Sequence, residues 1–185
     1  MTQVALEIPA VQLFTVARHK DDRGFFSETY NRRTLHEQGI DVTFVQDNQS
    51  LSREKGTLRG LHMQAPPYAQ DKLVRVTQGS ILDVCVDVRV GSPTYGEWVS
   101  AVISAAAWNQ IFVPRGFLHG FVTLEPDTEV HYKVSNYYNK ASESGVIWND
   151  CDLAIDWGVT CDVMLSGKDA VLPQFREFES PFFYV

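Results

Sequence analysis

The chain has 185 residues, of which 44% are hydrophobic and 12% aromatic, so it is long enough to bury a substantial core but short for two full domains. Its formal net charge of −7 argues against a general nucleic-acid or anionic-membrane binder, since such proteins need a basic surface to neutralise phosphate. We therefore expect a single domain, residues 1–185, in which any basic side chain of a site acts locally.

The cysteines and the N-terminus bear on the compartment. Cys85, Cys151 and Cys161 form no CxxC pair, so we expect free thiols in a reducing cytoplasm. The first ten residues lack a basic stretch followed by an apolar one, and no run approaches the ~18 apolar residues of a membrane span. The sequence thus predicts a cytoplasmic protein that has neither nucleic acid nor a membrane as a partner.

Two elements are predicted near the start of the chain. Residues 4–14 are apolar and strand-like, and a strand without a partner needs a neighbour for its backbone groups. Residues 31–38 form the only plausible helix of any length in this part of the sequence. Residues 22–24, with the sequence DRG, have the composition of a turn.

The clearest strand signal follows in the middle of the chain. Residues 72–77 and 81–90 alternate with period 2 on either side of Gln78-Gly79-Ser80, which predicts a β-hairpin. In the second strand Leu82 and the four valines at 84, 86, 88 and 90 share one face, which we expect to be core. The opposite face carries Asp83 and Asp87 and is polar enough to line a cavity or to contact solvent.

Further short β-like runs occur at residues 98–103, 110–113, 117–124 and 129–134, separated by turn sequences at 92–96 and 114–116. Many short strands at regular spacing are typical of a sandwich or barrel. The predicted fold class is therefore mainly β, an antiparallel β-barrel with a few short helices.

Arg59 and His62 form the first cluster that could carry chemistry. A regular strand would point residues three apart to opposite faces, so both can reach one site only if Gly60 permits a bulge or bend. A lone histidine in a strand is more often structural than a base. Its neighbours therefore decide how His62 is interpreted.

Residues 114–120 have the Pro-x-Gly-x-x-His spacing of the second cupin motif, and residues 60–79 resemble a degenerate first motif. Cupins are small jelly-roll β-barrels, which agrees with the strand pattern. Metal-binding cupins have a His-x-His pair in the first motif, whereas here the second position is Gln64, a poor ligand. We therefore expect no metal, and retained imidazoles without a metal suggest proton exchange near neutral pH.

Nine separated segments resemble, in order, the dTDP-4-dehydrorhamnose 3,5-epimerase family. Their sequences are DRGFF (22–26), FVQDNQS (44–50), RGLH (59–62), KLVRV (72–76), DVCVDVR (83–89), PRGFLHGF (114–121), YK (132–133), WND (148–150) and LSGKD (165–169). The resemblance covers about residues 20–170. It implies a cupin-like jelly roll that epimerises a dTDP-linked 4-keto-6-deoxy sugar through an enolate, with no cofactor.

The resemblance also implies catalytic roles. His62 would remove the proton α to the C4 ketone, and Asp169 would orient and charge its ring. Tyr132 would protonate the opposite face of the enolate, and Lys72 would stabilise the negative charge on oxygen. The tyrosine could otherwise be an ordinary core aromatic, and the lysine a solvated residue at a strand start.

Substrate contacts and assembly are implied in the same way. The expected substrate-binding residues are Arg23 and Arg59 at the diphosphate, Glu28, Gln46, Asp47 and Asn48 at the nucleotide, and Asp83, His119, Tyr138, Glu143 and Lys168 around the sugar. Arg23 and Glu28 could equally be surface ion-pair residues. The family resemblance further implies a homodimer in which an N-terminal segment crosses to the partner subunit and adds to the nucleotide pocket.

The sequence departs from the family pattern where Cys151 and Gly158 replace prolines and where residues 138–140 lack one. These positions lie near the aromatic residue expected against the sugar, so inversion at one centre only, or ketone isomerisation, remains an alternative. A non-catalytic cupin that binds a sugar nucleotide is a second alternative. A metal-dependent cupin dioxygenase or isomerase is a third.

Overall fold

The computed structural model describes residues 1–159 and 162–185. Cys161, one of the three expected free thiols, lies outside the described residues. Among the described residues Cys85 is a buried free thiol and Cys151 an exposed one. Within the same ranges, no helix has both the length and the apolar character that crossing a membrane requires.

Two large antiparallel sheets, a two-stranded hairpin and one short α-helix make up most of the regular structure of the described residues. The strands are β1 (Thr2–Ala5), β2 (Gln12–Thr15), β3 (His19–Asp21), β4 (Gly24–Phe26), β5 (Gln46–Ser52), β6 (Leu58–Gln64), β7 (Lys72–Gln78), β8 (Ser80–Asp87), β9 (Trp98–Ser104), β10 (Asn109–Val113), β11 (Phe117–Thr123), β12 (Thr128–Val134) and β13 (Glu143–Gly145). The helix α1 spans Arg32–Glu37, and three 3₁₀ turns cover Lys140–Ser142, Asp169–Val171 and Phe175–Glu177.

A six-stranded sheet has the order β1-β2-β10-β7-β12-β5, and a five-stranded sheet has the order β13-β6-β11-β8-β9. Strands β3 and β4 form a separate hairpin around the predicted turn at residues 22–24. The two large sheets pack face to face, as in a cupin-like jelly roll, instead of closing into one continuous barrel. The predicted mainly-β fold class is confirmed, with this difference in how the sheets meet.

Apolar side chains fill three layers around the sheets. Between the two large sheets lies a cluster that includes Val74, Ile111 and Phe121. The outer face of the five-stranded sheet is covered by the C-terminal part of the chain, where Trp157 packs on Val84 and its neighbours. The outer face of the six-stranded sheet is covered by α1 through Leu35. Strand β8 is therefore buried on both faces, although only its valine face was expected to be core.

The predicted hairpin at residues 72–90 is wrong. Both strands exist, but β7 pairs with β10 and β12 in one sheet, and β8 pairs with β11 and β9 in the other. Gly79, with φ +77°, turns the chain from one sheet to the opposite one. Alternation predicts a strand and its two faces but not its partner, because pairing depends on residues far away in sequence.

The N-terminal prediction also needs correction. Residues 4–14 form no single strand, because β1 and β2 pair antiparallel with each other, and the connecting segment places Ile8 and Val11 in the core. The first strand, Thr2–Ala5, is exposed along its whole length and lies at the edge of the sheet. The helix prediction is confirmed. The side chain of Asn31 caps α1 by accepting from the Arg33 amide at 3.0 Å, and Gln38 ends it.

The bulge expected at Gly60 is present. On β11, Phe121 lies opposite Arg59, and His119 lies opposite His62, so three steps along β6 match two along β11. Gly60 has φ +116°, and a Cβ built on it would lie 2.6 Å from the Gly120 Cα. Only glycine fits this approach, and the bulge turns Arg59 and His62 to the same side.

We expect Gly60→Ala to lower the free energy of unfolding by about 2–5 kcal/mol, because backbone strain adds to the clash with β11. The matched control is Gly167→Ala, since a Cβ there would meet no heavy atom of the described residues within 4 Å. The control should stay within about 0.5 kcal/mol of the wild type. Urea unfolding followed by circular dichroism measures both, and equal stability of the two variants would contradict the bulge geometry.

Candidate active site

A cavity of about 460 Å³ opens between the two sheets. The six-stranded sheet contributes Lys72, Val74 and Tyr132 to its wall, and the five-stranded sheet contributes Arg59, His62 and His119. The C-terminal segment closes one side. The remaining lining residues are Ser50, Thr57, Leu58, Phe121, Met164, Leu165, Ser166, Lys168 and Asp169. Seven residues predicted from the sequence thus meet in one cavity.

His62 and Asp169 form a hydrogen-bonded pair in this cavity. The His62 Nε2 lies 2.7 Å from the Asp169 Oδ1, and the other carboxylate oxygen accepts from the Gly60 amide at 3.4 Å. Asp169 is buried at the start of a 3₁₀ turn, whereas His62 is partly exposed to the cavity. With Nε2–H donating to the carboxylate, the Nδ1 lone pair is the one available to accept a proton.

Burial lowers the pKa of His62 below its usual 6.5, although the Asp169 carboxylate acts in the opposite direction. The positive charges of Lys72 and Lys168 lower it further. The ring is therefore neutral at pH 7, as a proton acceptor must be. The carboxylate also provides a favourable partner for the imidazolium that forms when the ring takes a proton.

Lys72, His119 and Asp83 form a second polar chain that links the two sheets. The Lys72 Nζ lies 3.3 Å from the His119 Nδ1, and the His119 Nε2 lies 2.9 Å from the Asp83 Oδ2. Asp83 is fully buried, and its hydrogen bond to His119 explains why a carboxylate is tolerated in an apolar strand. Contrary to the expected sugar contact, Asp83 does not line the cavity itself and lies behind His119. Desolvation lowers the pKa of Lys72 to about 8, against the attraction of Asp83. Lys72 is therefore mainly a cation at pH 7, and among the described residues its ammonium contacts the His119 ring and no carboxylate directly.

Tyr132 faces His62 from the opposite sheet. Burial raises the pKa of its phenol above 10.0, so the hydroxyl keeps its proton at neutral pH, while the nearby positive charge of Arg59 acts in the opposite direction. The Arg59 guanidinium lies 3.4 Å from both the Leu51 carbonyl oxygen and the Ser52 Oγ. A proton acceptor and a proton donor therefore stand on opposite walls of one cavity.

Two further predicted residues, Tyr138 and Glu143, do not line the cavity but are joined to Lys168, which does. The Tyr138 hydroxyl donates to the Glu143 Oε2 at 3.0 Å, and Glu143 forms an ion pair with Lys168. The hydrogen bond to Glu143 raises the pKa of Tyr138. These contacts join the segment after β12 to the C-terminal segment that carries Asp169.

The predicted nucleotide residues of β5 lie beside the cavity. Asp47 is paired with Lys133 at 2.7 Å, and both line a second cavity of about 220 Å³ together with Asn48 and Tyr132. Gln46 donates to the Asn48 Oδ1 at 2.8 Å. Tyr132 borders both cavities, so these β5 residues lie beside a side chain that also lines the main cavity.

Arg23 and Glu28 are not brought to the cavity. The guanidinium of Arg23 is 90% exposed and pairs with Asp21 at 2.6 Å, and Glu28 accepts from the Asn31 side chain at 2.9 Å. Within residues 1–159 and 162–185, neither of them lines either cavity described above. The sequence predicted Arg23 at the diphosphate and Glu28 at the nucleotide, and within one chain both lie away from the cavities.

The polar lining residues that were not predicted from the sequence include Ser50 and Ser166 in the main cavity, and Arg75 and His131 in the second. Ser166 accepts from the Asp169 amide at 3.1 Å and so fixes the turn that holds the carboxylate. Ser50 and Ser166 lie inside two of the segments that resemble the family. Their position within those motifs could have identified them as residues of the site. In the part of the chain that the structure describes, no three His, Cys, Asp or Glu side chains converge to hold a metal ion.

Comparison with known proteins gives matches along almost the whole chain. A sequence model of the dTDP-4-dehydrorhamnose 3,5-epimerase family matches residues 5–177, a range that includes every residue lining the main cavity. The dTDP-4-dehydrorhamnose 3,5-epimerase of Sinorhizobium fredii is 46% identical over 181 residues, which is 98% of this chain and 93% of that relative.

Two solved structures are similar in three dimensions. That of dTDP-4-dehydrorhamnose 3,5-epimerase from Bacillus anthracis, with TDP and PPi bound, has a TM-score of 0.89 and 48% identity, and the match covers 94% of this chain and 100% of that one. That of dTDP-6-deoxy-D-glucose-3,5-epimerase from Legionella pneumophila, in complex with dTDP-4-keto-L-rhamnose, has a TM-score of 0.95 and 38% identity, covering 100% and 99%.

The pKa of His62 should be below 6.5, and it should fall further in Asp169→Asn, because removing the carboxylate removes the interaction that favours the imidazolium. Titration of the ring signals by NMR measures this. Asp41→Asn, which removes an exposed carboxylate outside the main cavity, should leave the value unchanged. A higher pKa of His62 in Asp169→Asn would contradict the pairing.

Proposed function

The chain belongs to the dTDP-4-dehydrorhamnose 3,5-epimerase family, and we propose that it inverts C3 and C5 of a dTDP-linked 4-keto-6-deoxy sugar through an enolate. One observation carries the proposal: the His62–Asp169 pair and Tyr132 lie on opposite walls of one cavity. Inversion requires a proton to leave one face of a carbon and another to arrive on the opposite face. Two walls with complementary proton chemistry supply both.

Proton removal is the first step. C3 and C5 both flank the C4 ketone, so their hydrogens are acidified by the same carbonyl, and one base can serve both. The His62 Nδ1 takes the proton while Nε2 stays bonded to Asp169, whose negative charge stabilises the imidazolium. The electron pair of the broken C–H bond moves to the ketone oxygen.

The enolate oxygen then needs a cation or a donor. Lys72 is the residue we assign to it, because its ammonium is desolvated and held at the cavity wall by His119, which Asp83 orients. A fixed charge in a site that excludes water stabilises developing charge without reorganisation. The proton that leaves is replaced by another, so carbon is neither oxidised nor reduced. We therefore propose that the reaction needs no nicotinamide and no metal.

Tyr132 completes inversion by donating its phenolic proton to the face away from His62. Its raised pKa keeps that proton in place until the enolate forms, and the charge of Arg59 favours the phenolate left behind. We further assign Arg59 and Arg23 to the diphosphate, since guanidinium groups bind phosphate oxygens in pairs. The remaining proposed contacts are Glu28, Gln46, Asp47 and Asn48 at the nucleotide and Tyr138, Glu143 and Lys168 at the sugar.

We also propose that the protein works as a cytoplasmic homodimer of one epimerase domain, residues 1–185. Two features support a second subunit. The edge strand β1 is exposed and can add to another sheet. Arg23 and Glu28 lie away from the cavity of their own chain, so the roles proposed for them require the cavity of a partner subunit.

The test follows deuterium in heavy water. With dTDP-4-keto-6-deoxyglucose as substrate, the wild type should incorporate deuterium at both C3 and C5, as measured by NMR and mass spectrometry. His62→Ala should lose exchange at both carbons, by roughly 10²–10⁴-fold in rate, because one base serves both. Its affinity for dTDP should change little, since the proposed diphosphate contacts come from other residues.

Other outcomes distinguish the alternatives. Deuterium at one carbon only identifies a single-centre epimerase, and tight dTDP binding without any exchange identifies a binding protein. Loss of exchange in EDTA that a divalent ion restores would overturn the metal-free proposal. Wild-type exchange in a folded His62→Ala protein would overturn the assignment of the base.

In Tyr132→Phe, His62 can still remove the α-proton, but protonation from the opposite face loses its donor. Exchange with retained configuration should persist, while net epimerisation falls by roughly 10²–10⁴-fold. The phenylalanine preserves ring packing, so unchanged dTDP affinity and thermal stability are the control. Equal loss of exchange and of inversion would mean that Tyr132 positions the substrate, and unchanged epimerisation would remove it from the mechanism.

A further inference from the structure

Ser50 stands out among the buried polar groups. Within the described residues, its hydroxyl is the one buried side-chain nitrogen or oxygen without a hydrogen-bond partner. The other buried groups of the site are paired, as His119 with Asp83 and Asp169 with His62 show. A hydroxyl without a partner is unfavourable in a folded protein, so a functional reason for it is expected.

The position of Ser50 indicates what the partner is. Ser50 lies on β5 and lines the main cavity, and its cross-strand neighbour on β12 is Val130, whose side chain offers no polar group. The hydroxyl is shielded from solvent in its present rotamer, but the residue forms part of the cavity wall. Rotation about the Cα–Cβ bond to another staggered position can turn the Oγ toward a molecule in the cavity.

The neighbours of Ser50 narrow the choice of ligand group. The Arg59 guanidinium is held against Leu51 and Ser52, the next two residues of β5. Tyr132 pairs with Asn48, two residues before Ser50 on β5, and Lys72 lies on β7, beyond β12. Ser50 is thus adjacent to the Arg59 guanidinium. It is separated by the whole of β12 from Lys72, the cation proposed to stabilise the enolate.

We propose that Ser50 is a substrate-binding residue whose hydroxyl donates to a diphosphate oxygen that Arg59 also binds. The proposal rests on the function proposed above. A hydroxyl donates to any nearby acceptor, but the group that Arg59 attracts to this end of the cavity is an anion. A hydrogen bond to a charged oxygen is stronger than one to a sugar hydroxyl, which accounts for keeping the hydroxyl unpaired until substrate arrives.

The test compares two ligands that differ only in the diphosphate. In Ser50→Ala, affinity for dTDP should fall roughly 10–100-fold, the usual worth of a hydrogen bond to a charged group. Affinity for thymidine should stay within about twofold of the wild type. Calorimetry measures dTDP, and NMR titration measures the weaker thymidine. Ser100→Ala on β9, a half-buried serine outside the lining of both cavities in the described chain, is the matched control and should change neither affinity.

Steady-state kinetics give a second measurement. The diphosphate lies away from the reacting carbons, so Ser50→Ala should raise KM by the factor lost in dTDP affinity and leave kcat within about threefold. A fall in kcat with unchanged dTDP affinity would overturn the proposal and place Ser50 at the sugar. Equal losses for thymidine and dTDP, or no loss for either, would also overturn it.

Failure of this proposal can be separated from failure of the proposed function, because dTDP and thymidine affinities require no turnover. A wild type that binds dTDP but exchanges no deuterium would contradict the epimerase function. The affinity ratio between Ser50→Ala and the wild type would still decide whether the hydroxyl binds the diphosphate.

Discussion

The close approach of β6 and β11 at Gly60 and Gly120 is the constraint on which the site depends. A Cβ on Gly60 would lie 2.6 Å from the Gly120 Cα, and one on Gly120 would lie 2.9 Å from the Arg59 carbonyl oxygen. The bulge that this contact permits sets His62 opposite His119 and turns Arg59 to the same cavity. It also directs the Gly60 amide at the carboxylate of Asp169. The positions of His62, the proposed base, and of its partner Asp169 are thus set by backbone, which is stiffer than any side chain.

Charge burial is the second feature of the molecule. Asp71, Asp83, Asp87 and Asp169 are all nearly inaccessible to solvent, and each has a partner: Arg115, His119, Arg89 and His62 respectively. Buried carboxylates are tolerated only with such partners, because desolvation of an isolated charge costs several kcal/mol. In the cavity the same desolvation lowers the pKa of His62 below its usual 6.5 and that of Lys72 to about 8. At pH 7 the His62 ring is therefore neutral and able to accept a proton, while Lys72 remains a cation.

The jelly-roll architecture explains how one small chain presents two kinds of proton chemistry. Each sheet has one face toward the cavity, so His62 and Tyr132 approach from opposite sides without any loop having to cross. The contact between Lys72 and His119 bridges the same two sheets and so joins the two walls of the cavity. The substrate is a nucleotide sugar in the function proposed here, and a gap between two rigid sheets holds its ring at a defined distance from both walls. Sites built on strands are positioned more accurately than sites built on loops.

Local periodicity and backbone sterics were enough to predict the mainly-β class, approximate bounds for β7 to β12, the helix at residues 31–38 and the need for a bulge at Gly60. Through family resemblance the sequence also identified seven of the residues that line the cavity. The three-dimensional structure was needed to show that β7 and β8 enter different sheets, that β1 and β2 pair with each other, and that Arg23 and Glu28 lie apart from the cavity. It alone showed that the Ser50 hydroxyl lacks a partner among the described residues. Strand partners and unpaired groups depend on contacts between residues distant in sequence, and no local pattern encodes those contacts.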